Sequence, residues 1–300
     1  MLIDFLSLYF PVAEVRLSVL VVLSIGFVSG IMSGLLGIGG GFISTPLLTA
    51  VGVSPSVAVA TSAHQIIGAS FSSILPRLKP KKVDFKLGFI LAGSGVLGTY
   101  IGSIIFDKFL KLGNIDILIA GFYIILMSFV SFISFRTYFS KIRHEKKSQF
   151  QFNFLKVKFK TSEVECSVLI PIFLGIFTGI LVIIMGVGGG FILVPAMVSI
   201  MKMKNDVAVG TSLLQIFLIT MLVVLFHIFR TGLLDIMLGT LLIIGAAIGA
   251  QISSIISLKI GKRKIINLLL AILTLTVAVK FGTDIFLSSK EQKILIEEVS

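Results

Sequence analysis

The amino-acid sequence predicts an all-α polytopic membrane protein made of two homologous halves of about five hydrophobic segments each, and three observations carry that reading. The first is composition. Of 300 residues, 56% are hydrophobic and only 13% are charged, with a mean hydropathy of +1.10, whereas soluble domains run at about 45–50% apolar and 25% charged. So much apolar surface does not fit inside one aqueous fold of this size, which excludes a soluble enzyme, a disordered chain and a nucleic-acid-binding domain. The second is a succession of long apolar stretches. The third is that the later stretches repeat the earlier ones.

The stretches fall in order at 17–37, 39–53, 56–76, 85–106 and 114–135, then at 166–187, 189–201, 207–228, 233–256 and 265–287. Most reach the roughly 20 residues that a helix needs to cross a hydrocarbon core. Helices are expected because lipid offers no partner for free backbone polar groups. Segments 39–53 and 189–201 are short, so the count of membrane-crossing helices runs from eight to ten. Residues 26–48 and 175–197 are identical at ten of 23 positions, and VAVATSAHQ (57–65) matches VAVGTSLLQ (207–215) at six of nine. Asp84, Gly88 and Gly98 align with Asp235, Gly239 and Gly249. The organisation is therefore an N-terminal repeat at 1–135, a basic cytoplasmic linker at 136–165 and a C-terminal repeat at 166–300.

Charge supplies the expected sidedness. If all ten segments cross, the loops at 77–86, 136–165, 202–206 and 259–264 share one side and hold 19 of the 26 Lys and Arg residues, as expected of cytoplasmic loops. Five crossings per half would insert the halves as inverted repeats. The net charge of +12 is thereby a sidedness signal that needs no nucleic-acid partner; the expected partners are membrane lipid and a small anion. Nothing in the sequence sets an oligomeric state.

Chemistry-bearing residues are few. Cys166 is the single cysteine and His64, His144 and His227 are scattered, so no disulfide, metal site or cofactor is expected. Arg143-His144-Glu145-Lys146-Lys147 lacks the second His of a metalloprotease motif, and no P-loop is present. The glycine runs are more informative. Gly39, Gly40 and Gly41, and again Gly188, Gly189 and Gly190, follow a complete apolar helix and precede a short one. The helix must break there. If the next helix starts at the last glycine, its free N–H groups and positive dipole end form an anion site without a lysine; the alternative is that the glycines let helices pack closely. Thr61, Ser62 and Gln65 and their echoes Thr211, Ser212 and Gln215 place hydroxyl and amide groups inside apolar spans, either to complete an anion's shell or to bond neighbouring helices. His64, opposite Leu214 in the repeat, is a candidate for proton coupling or a neutral hydrogen-bonding group. His227, Arg230 and Asp235 read as membrane-edge residues in solvated roles, and Asp84 and Asp235 read as helix N-caps.

The blocks GLLGIGGGFISTPLL and MGVGGGFILVPAM, each followed by a VAVGTS-like run, resemble the sulfite exporter TauE/SafE family of bacterial membrane proteins over about residues 26–282. The resemblance implies a multi-pass permease of the bacterial inner membrane for small anions, especially sulfite or organosulfonates. It also implies that the two glycine triplets and the two Thr-Ser-Gln sets named above occupy the family's signature positions. The function expected is therefore a secondary transporter for a small, sulfur-containing oxyanion working by alternating access. The competing readings are an anion channel, a non-transporting partner subunit and an intramembrane enzyme. No catalytic residues are assigned, because no paired carboxylates, His cluster or Ser-Lys pair lies within the spans.

Overall fold

A computed structural model describes residues 7–139, 156–159, 161–259 and 276. The expected tenth segment at 265–287 falls outside them apart from Thr276, and the motif at 143–147 falls outside them entirely. The chain forms two compact units, one of residues 1–108 with 147–261 and one of residues 109–146 with 262–300. The candidate site residues all belong to the first.

Helices occupy the other nine expected segments: α1 (Val19–Leu36), α2 (Gly41–Ala50), α3 (Pro55–Leu78), α4 (Phe85–Lys111), α5 (Ile115–Phe139), α6 (Leu169–Met185), α7 (Gly190–Ser199), α8 (Asn205–Phe226) and α9 (Ile236–Lys259). A π-helical turn, His227–Thr231, prolongs α8. Among the described residues, four helical stretches are long and apolar enough to cross a membrane: Val19–Leu36, Phe85–Lys111, Asn205–Thr231 and Ile236–Ser257. The 24-residue α3 is missing from that set because its inward face carries Thr61, Ser62, Gln65, Ser70, Ser73 and Arg77, all buried. Large apolar side chains face outward instead, with Phe229 82%, Phe173 71% and Tyr100 68% exposed. So many large apolar side chains on the outside, with polar groups of α3 turned inward, suit a lipid surround.

The all-α expectation needs one correction. Two antiparallel hairpins precede the two first helices: β1 (Ser7–Phe10) pairs with β2 (Val15–Ser18), and β3 (Lys156–Phe159) with β4 (Val164–Ser167). The second lies partly inside the stretch read as a linker. Each turns through a glutamate at positive φ, Glu14 at 52° and Glu163 at 55°. Phe10 and Phe159 stand at matching places and are fully buried, each worth about 1.5–3 kcal/mol of apolar burial. Phe10 packs in a cluster with Leu238 and Leu242 of α9, and Phe159 in one with Leu87 and Leu91 of α4.

Small residues set the helix packing. Gly26, Gly30 and Gly34 of α1 lie on Leu242, Ala246 and Ala250 of α9, while Gly245 of α9 lies on Leu23 and Gly249 on Phe27. With one residue in four lacking a side chain, the backbones come into contact and the helices run parallel. Gly175 and Gly179 of α6 meet Gly95 and Thr99 of α4 in the same manner. Helix α3 also runs parallel to α9, with Gly68 on Ile243 and Ser72 Oγ donating to Ala247 O at 2.7 Å. By contrast α3 and α8 are antiparallel. The connection after α3 (Lys82, Val83) lies at Gly210 near the start of α8, and Asp235 after α8 lies at Thr61 near the start of α3.

Candidate functional site

The two glycine runs perform the same local task. Helix α1 ends on Gly37 at φ 72°, whose N–H donates to Ser33 O at 2.8 Å, and α2 opens after Gly40 at φ 85°. Helix α6 ends on Gly186 at φ 61° and α7 opens after Gly189 at φ 65°. A left-handed residue at each of these four places closes one helix or opens the next, a conformation that glycine adopts without strain. No side chain caps either short helix, so the first-turn N–H groups of α2 and α7 carry the positive dipole end into the protein interior.

The runs also touch each other. A Cβ on Gly41 would strike the carbonyl oxygen of Gly186, and one on Gly190 would strike that of Gly37. One on Gly39 would stand 3.3 Å from Gly188 Cα, with Ile66 and Ile216 beside it. Close packing and helix breaking therefore coexist within the same two glycine runs. Gly188 differs from Gly39 in lacking a positive φ.

The paired polar residues surround this contact. Gln65 donates from Nε2 to Ser29 Oγ of α1 at 2.8 Å, and Gln215 from Nε2 to Thr178 Oγ1 of α6 at 3.1 Å. A Cβ on Gly40 would lie 3.1 Å from Gln65 Nε2, and one on Gly189 would lie 2.8 Å from Thr178 Cβ. Each amide is thus beside the start of a short helix. Ser212 Oγ contacts both Gly37 O and Val209 O, at 3.0 and 2.8 Å, whereas Ser62 Oγ is buried without a partner.

Thr61 and Thr211 serve a different junction. Thr211 Oγ1 accepts from Asp84 N at 3.0 Å and Thr61 Oγ1 from Asp235 N at 3.4 Å. Both aspartates cap their helices as expected, with Oδ1 accepting from Leu87 N at 3.1 Å and Leu238 N at 3.0 Å. Their second oxygens do something the sequence did not disclose. Asp84 Oδ2 accepts from Ser162 N and Oγ at 3.1 and 2.6 Å, and Asp235 Oδ2 from Val12 N and Ala13 N at 3.1 and 3.2 Å. Each aspartate therefore ties down the hairpin that precedes the other half.

His64 sits against α9, where the lack of a side chain at Gly239 makes room for its ring; the matching Gly88 makes room for Leu214. His64 Nδ1 is buried without a hydrogen-bond partner. The membrane-edge expectation for His227 and Asp235 is overturned, since they are 0% and 1% exposed. The π-helical turn folds His227 inward against Phe106, ring centroids 5.2 Å apart, and its Nδ1 meets Thr231 Oγ1 at 3.2 Å. Arg230 does face outward, bonded to Asp107 at 3.1 Å.

Arg77 was missed. It stands at the position of α3 that matches His227 on α8, 1% exposed. Its guanidinium donates to Gly34 O, Ser73 O and Ser254 Oγ at 2.7, 2.9 and 2.6 Å, with Nε unpartnered. All its ligands are neutral, which leaves a buried positive charge beside the end of α1.

The chain matches the family model described as "Sulfite exporter TauE/SafE" over residues 22–281. It is 28% identical over 265 residues to a protein of Xylella fastidiosa (strain 9a5c) named "Probable membrane transporter protein", covering 87% of this chain and 94% of that one. It is 27% identical over 274 residues to "Probable membrane transporter protein YunE" of Bacillus subtilis (strain 168), covering 86% and 96%. It is also 31% identical over 110 residues to "Sulfite exporter TauE/SafE family protein 3" of Arabidopsis thaliana, covering 36% and 23%. No solved structure matches it.

Proposed function

The chain belongs to the sulfite exporter TauE/SafE family of multi-pass membrane transporters, and from that premise we propose that it is a secondary transporter of the cell membrane that moves a small, sulfur-containing oxyanion. The observation that carries this is the pair of uncapped helix starts at Gly41 and Gly190, buried in the protein and each flanked by a buried glutamine amide. Backbone donors hold an anion without a fixed positive charge, so binding stays weak enough for release. Ser212, bonded to Gly37 O, extends the polar surround, while Thr61 and Thr211 brace the helix starts at Asp235 and Asp84. The sulfur in the reading comes from the family and from the name of the plant relative.

Alternating access between two inverted five-segment halves is the mechanism we infer. Its support is directional: α1, α3 and α9 run one way, and α8, antiparallel to α3, runs the other. Two halves built alike and facing opposite ways exchange roles when one side opens and the other closes.

Counterflow of radiolabelled sulfite in proteoliposomes, with sulfate, thiosulfate and chloride as competitors, tests the proposal. Specific counterflow in the parent that disappears on Gly40→Leu with Gly189→Leu supports it. Absence of counterflow for every anion tried, in protein shown to be folded, removes it. His64→Gln addresses coupling: exchange retained with loss of the response to an imposed pH gradient assigns proton movement to His64.

A further inference from the structure

Arg77 holds more donors than the protein uses. A guanidinium carries five N–H groups; the bonds to Gly34 O, Ser73 O and Ser254 Oγ occupy three, and Nε–H is left over in a side chain that is 1% exposed. Among the described residues no carboxylate bonds it, and Asp206, at the same end of the molecule, is bonded to Lys82 at 3.4 Å. A buried cation with only neutral ligands attracts an anion strongly, because little water screens it.

Its place ties it to the glycine runs. Gly34 stands three residues before Gly37, whose carbonyl lies against Gly190, so the charge is roughly 5 Å along α1 from the contact between the runs. Helix α3 makes the same link. Ile66, Ser70, Ser73 and Arg77, spaced four, three and four apart, share one face, and Ile66 lies against Gly39 and Gly41. Ser70 and Ser73 are buried with hydroxyls that have no partner, as is Ser33 beside Gly34.

Helix capping explains part of this, since Gly34 O is among the last carbonyls of α1. The second half shows that the frame does not require it. Helix α6 ends on Gly186 just as α1 ends on Gly37, yet His227, which matches Arg77, turns to Thr231 instead. Ser33, Ser70 and Ser73 are matched by Val182, Thr220 and Val223, and the Thr220 hydroxyl is spent on its own helix at Ile216 O. The guanidinium and its hydroxyls therefore belong to one end only, the end with the basic connections at 77–86 and 202–206.

We propose that Arg77 is a second anion station, where its Nε–H and the hydroxyls of Ser70 and Ser73 hold the small oxyanion between the glycine runs and the basic end of the molecule. This rests on the oxyanion reading above and adds a site to it. The glycine runs bind through neutral donors, and the charged station next to them draws the anion along the α3 face.

Thiol labelling tests it. With Cys166→Ser removing the single native thiol, Ser70→Cys and Ser73→Cys are treated separately with 2-sulfonatoethyl methanethiosulfonate, an anion, and its trimethylammonioethyl counterpart, a cation. The anion should react faster by about tenfold, relative to the ratio for a free thiol, and methanesulfonate should slow it. Adding Arg77→Gln should remove most of that preference, although every surface lysine remains. Phenylglyoxal needs no variant: peptide mapping should find Arg77 modified in the parent and protected by methanesulfonate, with the exposed Arg16 modified whether or not the anion is present. Thiols that react with neither reagent, an anionic preference unchanged by Arg77→Gln, or an Arg77 that phenylglyoxal leaves untouched would each overturn the station. If sulfite counterflow persists in the same preparations, the oxyanion reading stands without it. Labelling that depends on Arg77 in folded protein that moves none of the oxyanions tried supports an anion station and overturns the oxyanion reading.

Discussion

Half by half, the molecule is alike in its frame and unlike in its charge. Gly41 and Gly190, Gln65 and Gln215, and Asp84 and Asp235 occupy matched positions and make matched contacts. On the central helices, however, α3 carries His64 and Arg77 where α8 carries Leu214 and His227. The frame must be shared because each half packs against the other, whereas a path with two different ends needs no such symmetry. The buried guanidinium gives one end of the α3–α8 pair a fixed positive charge, while the other end has an imidazole.

The frame can be broken first. Gly41→Ala and Gly190→Ala each drive a methyl group into a backbone carbonyl of the other half, where no side chain can swing away. Both should abolish folded, monodisperse protein on size-exclusion chromatography. Tolerance of one alone would break the comparison. Next come Asp84→Ala and Asp235→Ala, each losing a helix cap and the hydrogen bonds to a hairpin. The expected destabilisation is about 2–4 kcal/mol, equal in the two variants within error, read from thermal unfolding in detergent.

Arg77→Gln against His227→Gln sharpens the difference in charge. Losing the guanidinium should lower initial anion flux roughly tenfold, in line with one charge-assisted hydrogen bond, and His227→Gln should lower it less; equal losses would mean that the asymmetry does not matter to flux. The smallest effect is expected at Glu163→Gln. Lys204, 2.8 Å away, holds this carboxyl below the usual range, so any contribution is present at neutral pH and fades as acid protonates it. Full exposure screens the pair, and melting curves of parent and variant should superimpose at pH 7.

Legibility in the sequence followed the range of the forces involved. Helix breaks at the glycine runs are local, and the short apolar segments after them give their position away. Pairing Gln65 with Gln215 needed only the repeat. Arg77 stayed hidden because it stands in PRLKPKK, which reads as a basic loop, and only the packing of Gly34 and Ser254 around it shows that α3 continues to Leu78. His227 looked like an edge residue because hydropathy falls after it, but a π-helical turn extends the helix to Thr231. The hairpins are four-residue strands, one at the head of an apolar run and one in a charged stretch, too short for period-two patterning to register. Nor does a capping aspartate signal that its other oxygen holds a loop 222 or 223 positions away.

That last tie bears on how the protein is made. The first hairpin emerges from the ribosome 223 residues ahead of the carboxylate that fastens it, an interval of about 10–45 s at ordinary rates of synthesis. Throughout that interval the first half is inserted without its closing contact, and the second half brings the fastening with its last long described helix. Neither half is a finished object during translation. Produced as separate polypeptides, they should survive quality control in the cell only when both are synthesised together.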